Sequence, residues 1–135
     1  SGAVPQISQG EVLGSAAGNA SLRLDPSGNL VWDQAGSPSR IIAQGADGAF
    51  ANLSISADGN MAIFQQGESY QVFTPSKGTR AVEDLVRQFW TDAPFTVPDG
   101  ASSFAGFDPS GNTLRAVFAD ADGQRYAFEF LMGKR

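Results

Sequence analysis

Residues 21–33 read "SLRLDPSGNLVWD". Leu22 and Leu24 alternate with Ser21 and Arg23, the period of a half-buried β-strand. A turn then follows. Asp25 can cap it through a side-chain oxygen, Pro26 sets φ near about −65°, and Gly28 can take the left-handed conformation. A second alternating run, "NLVWD", leaves the turn. The stretch therefore predicts an antiparallel hairpin with a bulged three-residue loop.

The same tip is written five times. The copies are SAAGN 15–19, DPSGN 25–29, SADGN 56–60, DPSGN 108–112 and DADGQ 120–124. Their flanks alternate as well. "NLSIS" (52–56) faces "NMAIF" (60–64), and "TLRAVFA" (113–119) precedes "RYAFEFLM" (125–132). The run from Met61 to Phe64 is apolar on both faces, so that strand is expected to be covered on both sides. One segment departs from period 2. In "TRAVEDLVRQFWTDAP" (79–94), Val82, Leu85, Val86, Phe89 and Trp90 form one helical stripe. Thr79 is the expected N-cap, Glu83 precedes Arg87 by four, and Pro94 marks the end. The link 94–102, "PFTVPDGAS", is expected to be irregular.

The fold class expected is mainly β. Antiparallel hairpins and meanders form a barrel-, prism- or sandwich-like body, with one amphipathic helix at about 79–92. A chain of 135 residues fits a single domain, 1–135. Within it lie a hairpin-rich half at 10–78, the helix, and a three-stranded meander at 103–131. Ser1 and Gly2 read as the remnant of a removed tag, which leaves room for a longer parent polypeptide.

Composition narrows the chemistry. Cysteine and histidine are both absent. There is then no disulfide, no thiolate nucleophile, no thiolate metal site and no imidazole base. No cofactor and no metal site are expected. The 9 Lys+Arg stand against 14 Asp+Glu, which opposes a nucleic-acid partner. No apolar run approaches the ~20 residues of a membrane helix, so no membrane insertion is expected. Asp120, Asp122 and Gly123 open like a calcium loop, but the position twelve of that loop is Leu131 rather than Glu. A glycosidase would need two facing carboxylates, and no spacing singles out a pair. Trp32 stands between Asn29 and Asp33 at the level of the strand. A partly exposed Trp flanked by an amide and a carboxylate is what a carbohydrate or peptide surface would use.

The first half also resembles a known family. "GEVLGSAAGNASLRLDPSGNLVWDQAG" (10–36) is similar to the opening of bulb-type, monocot mannose-binding lectin domains. "SGNLVWDQAG" (27–36) and "DGNMAIFQQG" (58–67) take the place of that family's "DGNLVLYD"-like hairpins, and "YQVFTPSKG" (70–78) that of its closing strand. Asn29 and Asn60 are 31 apart, close to the repeat length of the family. The resemblance covers residues 10–78 and implies glycan binding. The family's site is Gln-x-Asp-x-Asn-x-Val-x-Tyr. Here its places hold Asp25, Ser27, Asn29, Val31 and Asp33, then Ser56, Asp58, Asn60, Ala62 and Phe64. Both copies lack the Gln and the Tyr, and Asp58 with Asn60 is the better remnant. A second resemblance, of "LSISADGNMAIFQQGESYQVFT" (53–74), is to the hairpins of TolB-type β-propellers.

The expected function is a non-catalytic binding or interaction module of an exported or cell-envelope protein, extracytoplasmic and lectin-like, with Asn29, Trp32, Asp33, Asp58 and Asn60 as ligand-binding residues. Its partner would be a glycan or another protein. The alternatives are an assembly domain of a larger complex and a small carboxylate-based hydrolase.

Overall fold

The computed structural model describes residues 7–8, 10–45, 49–67, 69–89, 102–107, 114–119 and 124–130. It is mainly β. The first antiparallel sheet has the order β1-β2-β3-β4, from β1 (Val12–Gly14), β2 (Ala20–Leu24), β3 (Leu30–Gln34) and β4 (Arg40–Ala43). The second runs β5-β6-β7-β8, from β5 (Phe50–Ile55), β6 (Ala62–Gln66), β7 (Ser69–Thr74) and β8 (Gly78–Ala81). A helix, α1 (Val82–Phe89), follows. Strands β9 (Ser102–Phe107), β10 (Leu114–Ala119) and β11 (Arg125–Phe130) form a third antiparallel sheet with β10 in the middle.

Three of the repeated tips lie among the described residues, and each joins neighbouring antiparallel strands. They are not one turn. In DPSGN, Asp25 Oδ1 accepts from the backbone N–H groups of Ser27 and Asn29, and the Asp25 N–H donates to Asn29 O. The loop closes after five residues, and Leu24 faces Leu30. In SADGNM the shorter Ser56 hydroxyl accepts from the N–H groups of Asn60 and Met61, and Ser56 N–H donates to Met61 O. That loop takes six residues, and Ile55 faces Ala62. The first tip follows Ser56: Ser15 N–H donates to Ala20 O, and Ser15 Oγ accepts from Ala20 N–H. The first letter, Asp or Ser, thus goes with a one-residue difference in where the outgoing strand begins. In a strand such a shift exchanges the two faces. The tips 108–112 and 120–124 lie outside the described residues except for Gln124, but the strands they connect pair antiparallel.

The first two sheets share a core. Leu22, Leu24, Leu30, Trp32 and Ile42 of the first close on Phe50, Leu53, Ile55, Phe64 and Phe73 of the second. Trp32 meets Phe73 with ring centroids 5.0 Å apart, and Phe50 meets Phe64 edge-on at 5.7 Å. Met61, just before β6, and Ala62, Ile63 and Phe64 on it are all buried, so this strand is covered on both faces. Alternation places Ile63 on the face opposite Phe64. Helix α1 lies against β7 and β8, with Val82 and Leu85 fully buried.

The sequence-based start of the helix needs correction. Thr79 is not its N-cap. It pairs with Phe73 in β8, and its hydroxyl donates to Ile42 O at 2.8 Å, which ties the second sheet to the edge of the first. Residues 90–92 and all but Ser102 of the link 94–102 lie outside the described residues.

Candidate functional site

Each expected site residue has a definite place. Asn29 ends the DPSGN tip. Its Nδ2 donates to Asp25 Oδ2 at 3.1 Å, and its Oδ1 accepts from Gly45 N–H at 3.2 Å. Its amide therefore braces the tip and the chain after β4. Trp32 is only 2 % exposed, so it is not the partly exposed platform expected for it. Alternation is the reason: Trp32 shares a face with Leu30, and that face is the core. Its Nε1 reaches Gln34 Oε1 at 3.4 Å. Asp58 Oδ1 accepts from Ser56 Oγ at 2.8 Å and from Asn60 N–H at 3.1 Å, which shapes the second tip. Asn60 is exposed beside it. The Asp58–Asn60 pair and the Asn29–Asp33 strand are thus parts of different hairpins.

Asp33 is the expected residue that borders an open depression. Register sets it opposite Ser21 on the outer face of the first sheet. Arg23 Nε donates to its Oδ2 at 2.6 Å, and the Ser39 hydroxyl donates to its Oδ1. The Arg23 hydrogen bond holds the Asp33 carboxyl below the usual carboxylate range, against a smaller opposing effect of burial. Asp25 is lowered too, chiefly by the Asn29 N–H. Both groups therefore favour the fold at pH values above the unfolded pKa of about 3.9, and that contribution is lost as pH falls through their folded values. The Arg23–Asp33 pair is exposed to solvent, so its contribution to stability is small. Carbon-13 carboxyl titration should place both midpoints below about 3.9. A midpoint at or above that value for Asp33 would show that the pair does not persist in solution.

Beside Asp33 lies an open depression of about 440 Å³, lined by Gly14, Asn19, Ser21, Asp33, Gln34 and Ser37 among others. Gly14 forms one wall, and a Cβ built there would come no closer than 4.0 Å to Ala20 O. The hydroxyls of Ser21 and Ser37 and the Gln34 Nε2 have no partner among the described residues. Asn19 is different. Its Oδ1 accepts from Ser15 Oγ at 2.8 Å and its Nδ2 donates to Asp58 O at 3.0 Å, so it fastens the first tip to the second. Composition and motif could not single out Ser21, Gln34 or Ser37. The signal was register, which follows only from the five-residue length of the intervening loop.

Among the described residues no three His, Cys, Asp or Glu side chains gather as a metal site, and no helix is long and apolar enough to cross a membrane. No family model matches the chain, and no curated protein matches it.

Proposed function

We propose that this chain is a non-catalytic binding module that takes a neutral glycan in the depression beside Asp33. The observation that carries the reading is the lining itself. Two serine hydroxyls, the Gln34 amide and one carboxylate border a hollow that glycine keeps open. Mixed donors and acceptors without a free cation suit the paired hydroxyls of a sugar. Asp33 is the one carboxylate among those lining residues, whereas acid–base glycoside hydrolysis uses two. This supports binding over catalysis. In this reading the sheets are the faces of a prism- or sandwich-like body in one domain, with helix α1 laid on the second sheet, and the parent protein is exported or sits in the cell envelope. The shared core and the buried Val82 and Leu85 support the architecture.

The test fills the hollow without disturbing the backbone. Gly14 sits in an edge strand with room for a side chain, so Gly14→Val should fold normally. On a glycan array and in calorimetry with the glycans it retains, this variant should bind at least tenfold more weakly than the parent. Ser21→Ala should show a smaller loss. Unchanged binding by Gly14→Val would remove the depression from the reading.

A second reading, an assembly domain, has one observation in its favour. Val12 and Ile41 are 61 % and 51 % exposed, and register places them in one cross-strand row with Arg23 and Val31. Loss of a pulled-down protein partner on Ile41→Lys, with glycan binding absent, would favour it.

A further inference from the structure

We propose a second ligand position, on the second sheet, formed by Asn52, Gln65 and Tyr70 and taking the same class of neutral polyhydroxylated ligand. It rests on the glycan reading of the depression.

The argument is a duplication. A shift of 31 carries Ala20–Leu24 onto residues 51–55, Gly28 onto Gly59, and Gly36 onto Gly67, and all four glycines have positive φ. The longer second tip adds one residue, so Leu30–Gln34 falls structurally on Ala62–Gln66. Trp32 then corresponds to Phe64, and both belong to the core. By register Asp33 and Ser39 fall on Gln65 and Tyr70, Ser21 falls on Ala51, which faces Gln65, and the bulge inserts Asn52 next to Ala51.

The contacts place Asn52, the extra residue of the bulge, beside the Gln65–Tyr70 pair. Asp33 faces Ser21 in register and accepts from Ser39. Gln65 faces Tyr70 in register, and its Oε1 accepts from Asn52 Nδ2 at 2.6 Å. Asn52 Nδ2 also lies 3.4 Å from the Tyr70 hydroxyl. Asn52 stands in a β-bulge, where pairing slips between Ala51 and Ser54, and its φ is 52°. Such bulges re-aim a side chain. What remains unengaged among the described residues is complementary to a diol: Asn52 Oδ1 as acceptor, the Gln65 Nε2 protons and the Tyr70 hydroxyl proton as donors. Asn52 is exposed, while the Tyr70 ring is 6 % exposed, which fixes its hydroxyl. The cluster holds neither a carboxylate nor a cation, so it selects for an uncharged ligand whose binding does not change with pH across the carboxylate range.

The experiment is nitrogen-15 NMR titration of the full chain with neutral manno-, cello-, xylo- and chito-tetraose. Side-chain amide signals report directly on Asn52, Gln65 and Gln34. Shifts at both Gln34 with Ser21 and Asn52 with Gln65 are the expected result. Gln65→Ala, and Asn52→Gly, which suits the left-handed backbone, should each weaken the second response at least tenfold and leave the first intact. Shifts confined to Ser21 and Gln34 would overturn the second position and keep the glycan reading. Shifts confined to Asn52 and Gln65 would keep the second position and overturn the depression as a site. No shift with any of the four would overturn both.

Discussion

Trp32→Ala should destabilise the protein by about 3–5 kcal/mol, the range for removing a buried large aromatic side chain. Trp32 is 2 % exposed and packs tilted on Phe73 across the two sheets. Its truncation leaves a hole where both sheets meet, among Leu22, Leu30 and Phe64. A domain of this size has about 5–15 kcal/mol in total, so the variant retains little reserve. Trp32→Phe keeps a ring against Phe73 and should lose clearly less. Urea titration followed by circular dichroism measures both. A surface platform would behave in the opposite way, with binding lost and the unfolding midpoint unmoved. That outcome would place Trp32 outside the core.

Why Trp32 looked like a surface residue is instructive. Asp33 follows it and Asn29 stands three residues before it, and a Trp near such polar residues resembles a sugar platform. Neighbours in a strand point to opposite faces, however, and the relevant companion is Leu30, two residues away. The same rule reads "SLRL" correctly: Leu22 and Leu24 are buried, while Ser21 and Arg23 are half-exposed. The tips were legible because Asp, Pro and Gly act through local backbone geometry. Their lengths were less so. Asp25 closes its loop in five residues and Ser56 in six, a difference set by side-chain reach to particular N–H groups. Thr79 was misread for a related reason. A Thr before a helical stripe is a plausible cap, but Thr79 pairs with Phe73 in the sheet, and its hydroxyl bonds Ile42 O, 37 residues away.

The depression was the least legible part. It depends on Ser21 lying opposite Asp33, which needs the loop length, and on Gly14 coming alongside from β1. Asn19 shows the limit most plainly. In sequence it is one more residue after a turn glycine, like Asn29 and Asn60. In the fold, one such Asn braces its own tip, one is exposed, and Asn19 crosses to another hairpin. Identical letters acquire separate roles because their partners are supplied by distant chain.

That crossing predicts the second large effect. Gly59→Ala should cost about 2–4 kcal/mol, combining left-handed backbone strain with lost hydrogen bonds. Gly59 has φ of 74°, where a Cβ is disfavoured. The added methyl would also overlap the Asn19 amide, 2.7 Å from its Cγ and closer still to Oδ1. Asn19 must then withdraw from Ser15 Oγ and Asp58 O, and the neighbouring Ala17 N–H bond to Ala57 O is put at risk. Gly36→Ala is the control. Its φ is 81°, but nothing lies within 4 Å of the new atom, so only the backbone strain of about 1–2 kcal/mol should appear. The two substitutions together separate strain from docking. A double-mutant cycle sharpens the point: Asn19→Ala removes the obstacle, so Gly59→Ala should cost less in that background than alone. Additive costs, or equal losses for Gly59→Ala and Gly36→Ala, would mean that the two tips are not docked through Asn19. Agreement with the cycle would show that the Asn19 amide, beside the Ala17–Ala57 backbone bond, fastens the two tips together.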